Sequence, residues 1–325
     1  MADIKGEVRK TRRTLTMDGP NTAANAESRA DAYAARAQYY SPANIFIVKR
    51  PEVPCHRFDE ECRRALDPAG PSVWIACDVG AQMGFDWPAT TPLILVRYAH
   101  VRPGETLTGS FASSGEQYYV ISGSGELIKG DDAIPFEKDD IVTLPGGGET
   151  AIAAGADGAV LIQATNEPEM AFHRVAVPTP EAGPMEAALF RAAELQDELI
   201  KLRRDIDKNP TRAGLALHMM NGKLGDHYST HPSIVLALNS LDPHKRQRPH
   251  HHNSVAVTMP IHADGVHSVI DGKRVDWVPY AAMITPPAAM HEHVNEGDGM
   301  MFSLVIQDGG MHYHLRTIGF GFGDA

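Results

Sequence analysis

Apolar and polar positions along the chain follow two different periods. Short runs of β-branched and aromatic residues, punctuated by glycine and proline turns, occupy two separate stretches, as in antiparallel sheet. In the earlier stretch residues 72–77, 93–98, 117–121 and 141–144 read as strands; in the later one 233–241, 266–270, 281–285 and 302–306 do. Between them, residues 184–205 place Leu189, Ala193, Leu195, Leu199, Ile200 and Leu202 mostly at helical spacing with charge in the gaps, which predicts one long amphipathic helix. Alanine-rich residues 21–40 predict another helix, ended by Pro42, and residues 45–48 a short strand. The pattern divides the chain into a helical arm (1–44), a β region (45–180), a helical linker and loop (181–232) and a second β region (233–325).

The second β region repeats the first. A shift of 140 carries Pro103 onto Pro243, Ser110 onto His250, Ala112 onto His252, Glu116 onto Ala256 and Gly125 onto Gly265; a shift of 141 carries Phe136 onto Trp277, Pro145 onto Pro286 and Thr150 onto His291. The copies differ in chemistry. Ten of the sixteen histidines lie from His244 onward. His250 and His252 are two apart, so on a strand their rings share a face while His251 points away. His291 is the natural third member of a set of neutral imidazoles, the commonest protein ligands for zinc, copper, iron and nickel. A histidine run alone also fits a solvated loop; the downstream His291 argues for a site. In the first copy Ser110, Ala112 and Thr150 replace the three histidines and Glu116 alone survives, so that copy reads as metal-free.

These residues resemble the two motifs of the cupin barrel family. His244 stands in the glycine position of the first motif, followed by His250, His252, Ala256 in the glutamate position and Gly265; Pro286, Ala288, His291 and Asn295 fill the second. The resemblance implies an all-β bicupin, two antiparallel jelly-roll barrels with an N-terminal helical arm and an interdomain helix, the first barrel degenerate. Three histidines without the glutamate resemble the gentisate 1,2-dioxygenase branch, with its salicylate and 1-hydroxy-2-naphthoate dioxygenases. That implies Fe(II) bound by His250, His252 and His291, a small aromatic acid and O2 as partners, and a homo-oligomer, dimer or tetramer. Three neutral ligands leave Fe(II) its full charge and open positions for a bidentate substrate and O2 together. The same set suits Zn(II) or Mn(II) as a Lewis acid, so a non-redox lyase, isomerase or hydrolase is the alternative, and a cupin that only binds its ligand is a third.

His293 shares a strand face with His291 and is a candidate catalytic residue. Arg248, two before His250 in the basic run from Lys245, is a candidate for binding a substrate carboxylate, although such a run also fits a solvated turn. His262, His267, His312, His314, Asn253 and Gln307 are further candidates for the pocket. His218, His227 and His231 fall on the connection 206–232, as exposed loop residues or facing a substrate.

Composition adds exclusions. An apolar content of 43% supports a sizeable core, and a net charge of −11 argues against nucleic acid or an anionic membrane as partner. No apolar run approaches the roughly 20 residues that span a bilayer. The first thirty residues are polar, without the apolar core of a secretory signal, which predicts a cytoplasmic protein. Cys55, Cys62 and Cys77 match no zinc or redox spacing and read as reduced thiols.

Overall fold

A computed structural model describes residues 32–37, 50–206 and 215–323. Within the alanine-rich arm, residues 32–36 are helical (α1); the rest of the helix expected over 21–40 and the strand expected over 45–48 lie outside the described residues. No described helix is long and apolar enough to cross a membrane.

From Arg50 onward two antiparallel β units follow one another. In the first, helix α2 (Asp59–Ala65) precedes β1 (Val73–Cys77), β2 (Leu95–Val101), β3 (Thr106–Ser110), β4 (Gly115–Lys129), β5 (Asp132–Glu137), β6 (Ile141–Pro145) and β7 (Glu149–Thr165). After α3 (Glu167–His173), strand β8 (Ala188–Phe190) completes a sheet ordered β1-β2-β7-β4-β6-β8, with β3 on β7 and β5 on β4.

The second unit splits the long strands of the first. It contains β9 (Leu215–His218), β10 (Val235–Leu241), β11 (Lys245–Arg246), β12 (His250–His252), β13 (Ala256–His262), β14 (Val266–Ile270), β15 (Lys273–Asp276), β16 (Met283–Thr285), β17 (His291–Asn295) and β18 (Met301–Gln307). Helix α5 (Gly309–Leu315) and β19 (Phe320–Phe322) close the described chain. One sheet runs β16-β13-β18-β10-β9 and the other β15-β14-β17-β12-β19, with β11 on β17. Strand β4 thus corresponds to β13 plus β14, and β7 to β17 plus β18. Gly265 makes the turn that divides β13 from β14: its φ is +68°, and a Cβ there would meet the Gly297 nitrogen at 2.7 Å.

The linker helix starts later than its composition predicts. Helix α4 spans Ala192–Ile206, and residues 188–190 are strand, paired with β6. Edge pairing overrides alanine's helical preference here, and the Asp140 carboxylate then accepts the Ala192 amide (2.8 Å), satisfying one of the helix's free N–H groups.

The two units share one apolar core, in which Phe58, Ile75 and Tyr98 of the first pack with Leu236, Ile284 and Leu304 of the second. Backbone bonds cross as well: Phe58 donates to the Ala282 carbonyl (2.9 Å) and Ile284 to that of His56 (2.8 Å). The fully buried Tyr98 hydroxyl donates to Tyr280 O (2.6 Å) and accepts from the Ala282 amide (2.9 Å). Of the cysteines, Cys62 and Cys77 are buried free thiols and Cys55 is exposed.

Candidate metal centre

Strand β12 lies between β17 and β19, and its register sets His250 opposite His291. One ligand atom from each of His250, His252 and His291 comes within 4.8 Å of the others. The backbone decides which nitrogen that is. His250 Nδ1 lies 3.0 Å from Arg248 O, His252 Nδ1 2.8 Å from Ser254 O, and His291 Nδ1 2.9 Å from Ala289 O. A carbonyl only accepts, so each Nδ1 carries the ring proton and each Nε2 is left with its lone pair. Burial lowers the pKa of His250 and His252, and it brings His291 down to about 3 with the neighbouring imidazoles adding to the effect. The three rings are therefore neutral near pH 7, the state a metal ligand needs, and an all-imidazole set suits Fe(II) as well as Zn(II).

Among the described residues no carboxylate joins them. Position 256 is alanine, and the residue opposite it across the ladder is Gln307. The Gln307 amide nitrogen lies 3.4 Å from His252 Nε2, so a neutral polar group from the neighbouring strand borders the place a glutamate would take.

The three rings wall a cavity of about 250 Å³ between the sheets of the second unit. An apolar cavity of about 150 Å³ holds benzene, so this one has room for a single substituted ring. Register orders its walls. Thr285, Ala256 and Gln307 lie level with one another. Two residues along the strands, about 7 Å, come Thr258, Val305 and Ala237, with His293 on β17. On another side His312, Tyr313, Ile318 and Phe320 border the cavity. Asn253 ties that segment down: its amide nitrogen donates to Thr317 O (2.6 Å) and its side-chain oxygen accepts from the Gly319 amide (3.0 Å). Phe320 stacks on the His250 ring with centroids 5.4 Å apart.

His293 lines the cavity as its spacing suggests, 5% exposed. Burial, reinforced by the three neighbouring imidazoles, holds its pKa well below the ordinary value. Trp277 Nε1 donates to Ser268 Oγ (2.7 Å), which lies 2.8 Å from His293 Nδ1. With one lone pair filled by the indole, the serine hydroxyl can give its proton to Nδ1, leaving the imidazole N–H on Nε2. His293 then has the opposite tautomer to the other three and is a hydrogen-bond donor rather than a base.

Arg248 is elsewhere. Arg246 faces Val294, whereas His250 faces His291, so four steps on one strand match three on the other and the ladder carries one extra residue. Pro249, which has no N–H to pair, sits in that irregularity. The alternation expected from Arg248 to His250 therefore breaks, and the Arg248 guanidinium stacks over Phe322 at 4.5 Å on the exposed side. Gln247 takes the inward place instead, buried and lining the cavity. Arg246, in the same run, pairs with Glu292. Gln247 was missed because its bulge leaves no mark on apolar periodicity; the proline before the histidine pair was the available signal.

The remaining candidates divide. His312, Gln307, Asn253 and His218 line the cavity; His262, His267 and His314 do not. His231, expected on an exposed loop or facing a substrate, is fully buried: Ser233 N donates to its Nδ1 (3.0 Å) and its Nε2 faces Ser114 Oγ (3.1 Å).

In the first unit the corresponding interior is filled by an ion pair. Lys129 Nζ donates to Glu116 Oε1 (2.6 Å) and to Thr150 Oγ1 (2.9 Å), with both charged side chains essentially inaccessible. Tyr118 donates to the other carboxylate oxygen, and Gln163 to the Tyr118 hydroxyl (2.8 Å). Lys129 pairs with Thr150 as Ile270 pairs with His291, so the ammonium is carried at a position occupied by an apolar side chain beside the histidine cluster.

No family model matches the sequence, and no curated protein matches it. Solved structures do. A variant of salicylate 1,2-dioxygenase from Pseudoaminobacter salicylatoxidans in complex with gentisate superposes with a TM-score of 0.72 at 12% identity, over 96% of this chain and 99% of that one. The salicylate 1,2-dioxygenase of Pseudaminobacter salicylatoxidans gives 0.70 at 11% identity, over 94% and 99%. The chain is similar to these proteins in fold, and that fold is an all-β bicupin.

Proposed function

We propose that this protein is an Fe(II)-dependent ring-cleaving dioxygenase acting on a hydroxylated aromatic carboxylate of the gentisate or salicylate kind. The observation that carries the reading is the set of three buried Nε2 lone pairs, each aimed by an Nδ1–carbonyl bond, on the wall of a one-ring cavity without a carboxylate ligand. His250, His252 and His291 would hold the metal. Fe(II) bound there would supply adjacent open positions for a chelating pair of substrate oxygens and for O2, and a path for electrons from the substrate to O2. Around it, the His293 N–H is placed to donate to a substrate oxygen, Gln307 borders the ligands from β18, and Phe320 with Tyr313 screens the cavity from water. In this reading residues 233–325 form the metal-bearing barrel, 45–180 a metal-free one, 181–232 the linker and 1–44 the arm, and the protein is a cytoplasmic homo-oligomer.

Anaerobic reconstitution tests it. Fe(II)-loaded protein should consume O2 with a member of a panel of gentisate, salicylates, hydroxynaphthoates and aminophenol carboxylates, and a conjugated-acid absorbance should rise with it. No uptake across that panel with fully loaded protein, or turnover without O2 on Zn(II), would replace this reading with a Lewis-acid one.

A further inference from the structure

Among the described residues that line the cavity, none is Arg, Lys, Asp or Glu. A divalent ion at the histidine cluster would therefore have no protein counter-charge, and the chelating end of the ligand must bring it. About 7 Å along the strands, roughly the span of a six-membered ring, the wall mixes apolar Val305 and Ala237 with uncharged polar groups. Gln247 lies beside His293 there, its backbone N–H donating to the His293 carbonyl (2.9 Å), and Thr258 lies in the same row. Gln247 is 5% exposed and its side-chain oxygen has no hydrogen-bond partner. A buried acceptor left unpaired is costly, and a ligand N–H or O–H would satisfy it. An anionic group in the same place would meet neither a cation nor bulk water.

We infer that Gln247 is a specificity-determining residue, and that this site takes a monocyclic ligand whose anionic oxygens all lie in the chelating pair and whose far end carries an uncharged hydrogen-bond donor. This rests on the chelation reading above and extends it to the end of the ring away from the metal. The extra residue between Arg246 and His250 is what makes the choice, since it turns a neutral amide inward and the guanidinium outward.

Equilibrium binding to the Zn(II)-loaded protein, which needs no turnover, tests this with salicylate and its ring-substituted hydroxy, amino, sulfonate and carboxylate derivatives. The hydroxy or amino probe should bind about tenfold more tightly than salicylate, and the sulfonate and second carboxylate at least about a hundredfold more weakly than the hydroxy probe. Gln247→Leu should cut the ratio of the hydroxy to the salicylate affinity about tenfold; a merely damaged pocket would weaken both and leave the ratio intact. Gln247→Glu, the same size, should move the preference toward the amino probe. Distal anions binding as well as the hydroxy probe, or an unchanged ratio in both variants, would overturn the inference. If the order of affinities holds but Fe(II) protein takes up no O2, the dioxygenase reading fails alone; if O2 is consumed and distal anions bind equally, this inference fails alone.

Discussion

Replacing Lys129 with methionine strands a carboxylate in the core of the first unit. At the pair's separation of 2.6 Å and an effective dielectric constant of about 20, the attraction is about 6 kcal/mol. Desolvation of both ions cancels much of that gain, so the cost of the substitution is set by what becomes of Glu116. Burial already raises its pKa, against the pull of Lys129. Without the ammonium, the carboxyl avoids an unpaired charge by taking a proton. From an ordinary pKa of 4.5, protonation at pH 7 costs 2.5 pH units at about 1.36 kcal/mol each, or about 3.4 kcal/mol. Lys129→Met should therefore destabilise by about 3–5 kcal/mol at pH 7. In the variant the folded-state pKa of Glu116 lies above its unfolded value, so the folded state binds the extra proton. Its stability is fullest below that unfolded value and is lost as pH rises, and the deficit should shrink by about 1.4 kcal/mol per pH unit from pH 7 to 5. Urea unfolding of both proteins at pH 5, 6 and 7 measures this. Adding Glu116→Gln should remove the pH dependence and recover about 2 kcal/mol or more. A deficit under about 1 kcal/mol at pH 7, or one that does not vary with pH, would refute Lys129 as the buried counter-charge.

Three further outcomes are expected. Metal analysis should find one Fe(II) per chain in the parent and near-complete loss in His252→Ala; retention there, or two ions per chain, would move the site. His231, whose pKa burial brings to about 3, is neutral when folded and titrates near 6.5 when unfolded. Its contribution is thus present above pH 6.5 and lost on acidification, at about 1.4 kcal/mol per pH unit between those limits, and His231→Gln should flatten the acid side of the urea midpoint profile by one proton. Ala288 holds φ at +61° while its amide donates to His252 O (2.7 Å). Ala288→Gly should stabilise by about 0.5 kcal/mol, left-handed strain relieved less the greater freedom of the unfolded chain; a clear loss of thermal stability would show that no strain is stored there.

The histidine cluster was legible because strand alternation needs only residue identity: His250, His252 and His291 come together as the spacing requires. His244 and Ala288, which the motif resemblance places at turns, have positive φ, +56° and +61°, without being glycine. Arg248 was misplaced because a one-residue bulge inverts the facing of everything before it, and hydrophobic pattern carries no trace of a bulge in a polar run. Residues 188–190 read as helix because propensity is local, while the open edge of β6 that captures them is not. The Lys129–Glu116 pair could not be foreseen either, since a lysine in an alternating strand looks the same whether it faces solvent or a carboxylate.

The histidine-bearing strand β12 is only three residues long, and it borrows a neighbour from the last described residues: His250 pairs with Phe322 and His252 with Phe320. So short a strand has little cohesion of its own. When β19 peels away, β12 loses a flank and the stacking on His250 together, and the slowest opening of the segment becomes the clock for both. Amide exchange at His250 and His252 and dissociation of an ion loaded at the histidines should then share one rate constant, which Asn253, by holding residues 317 and 319, tunes.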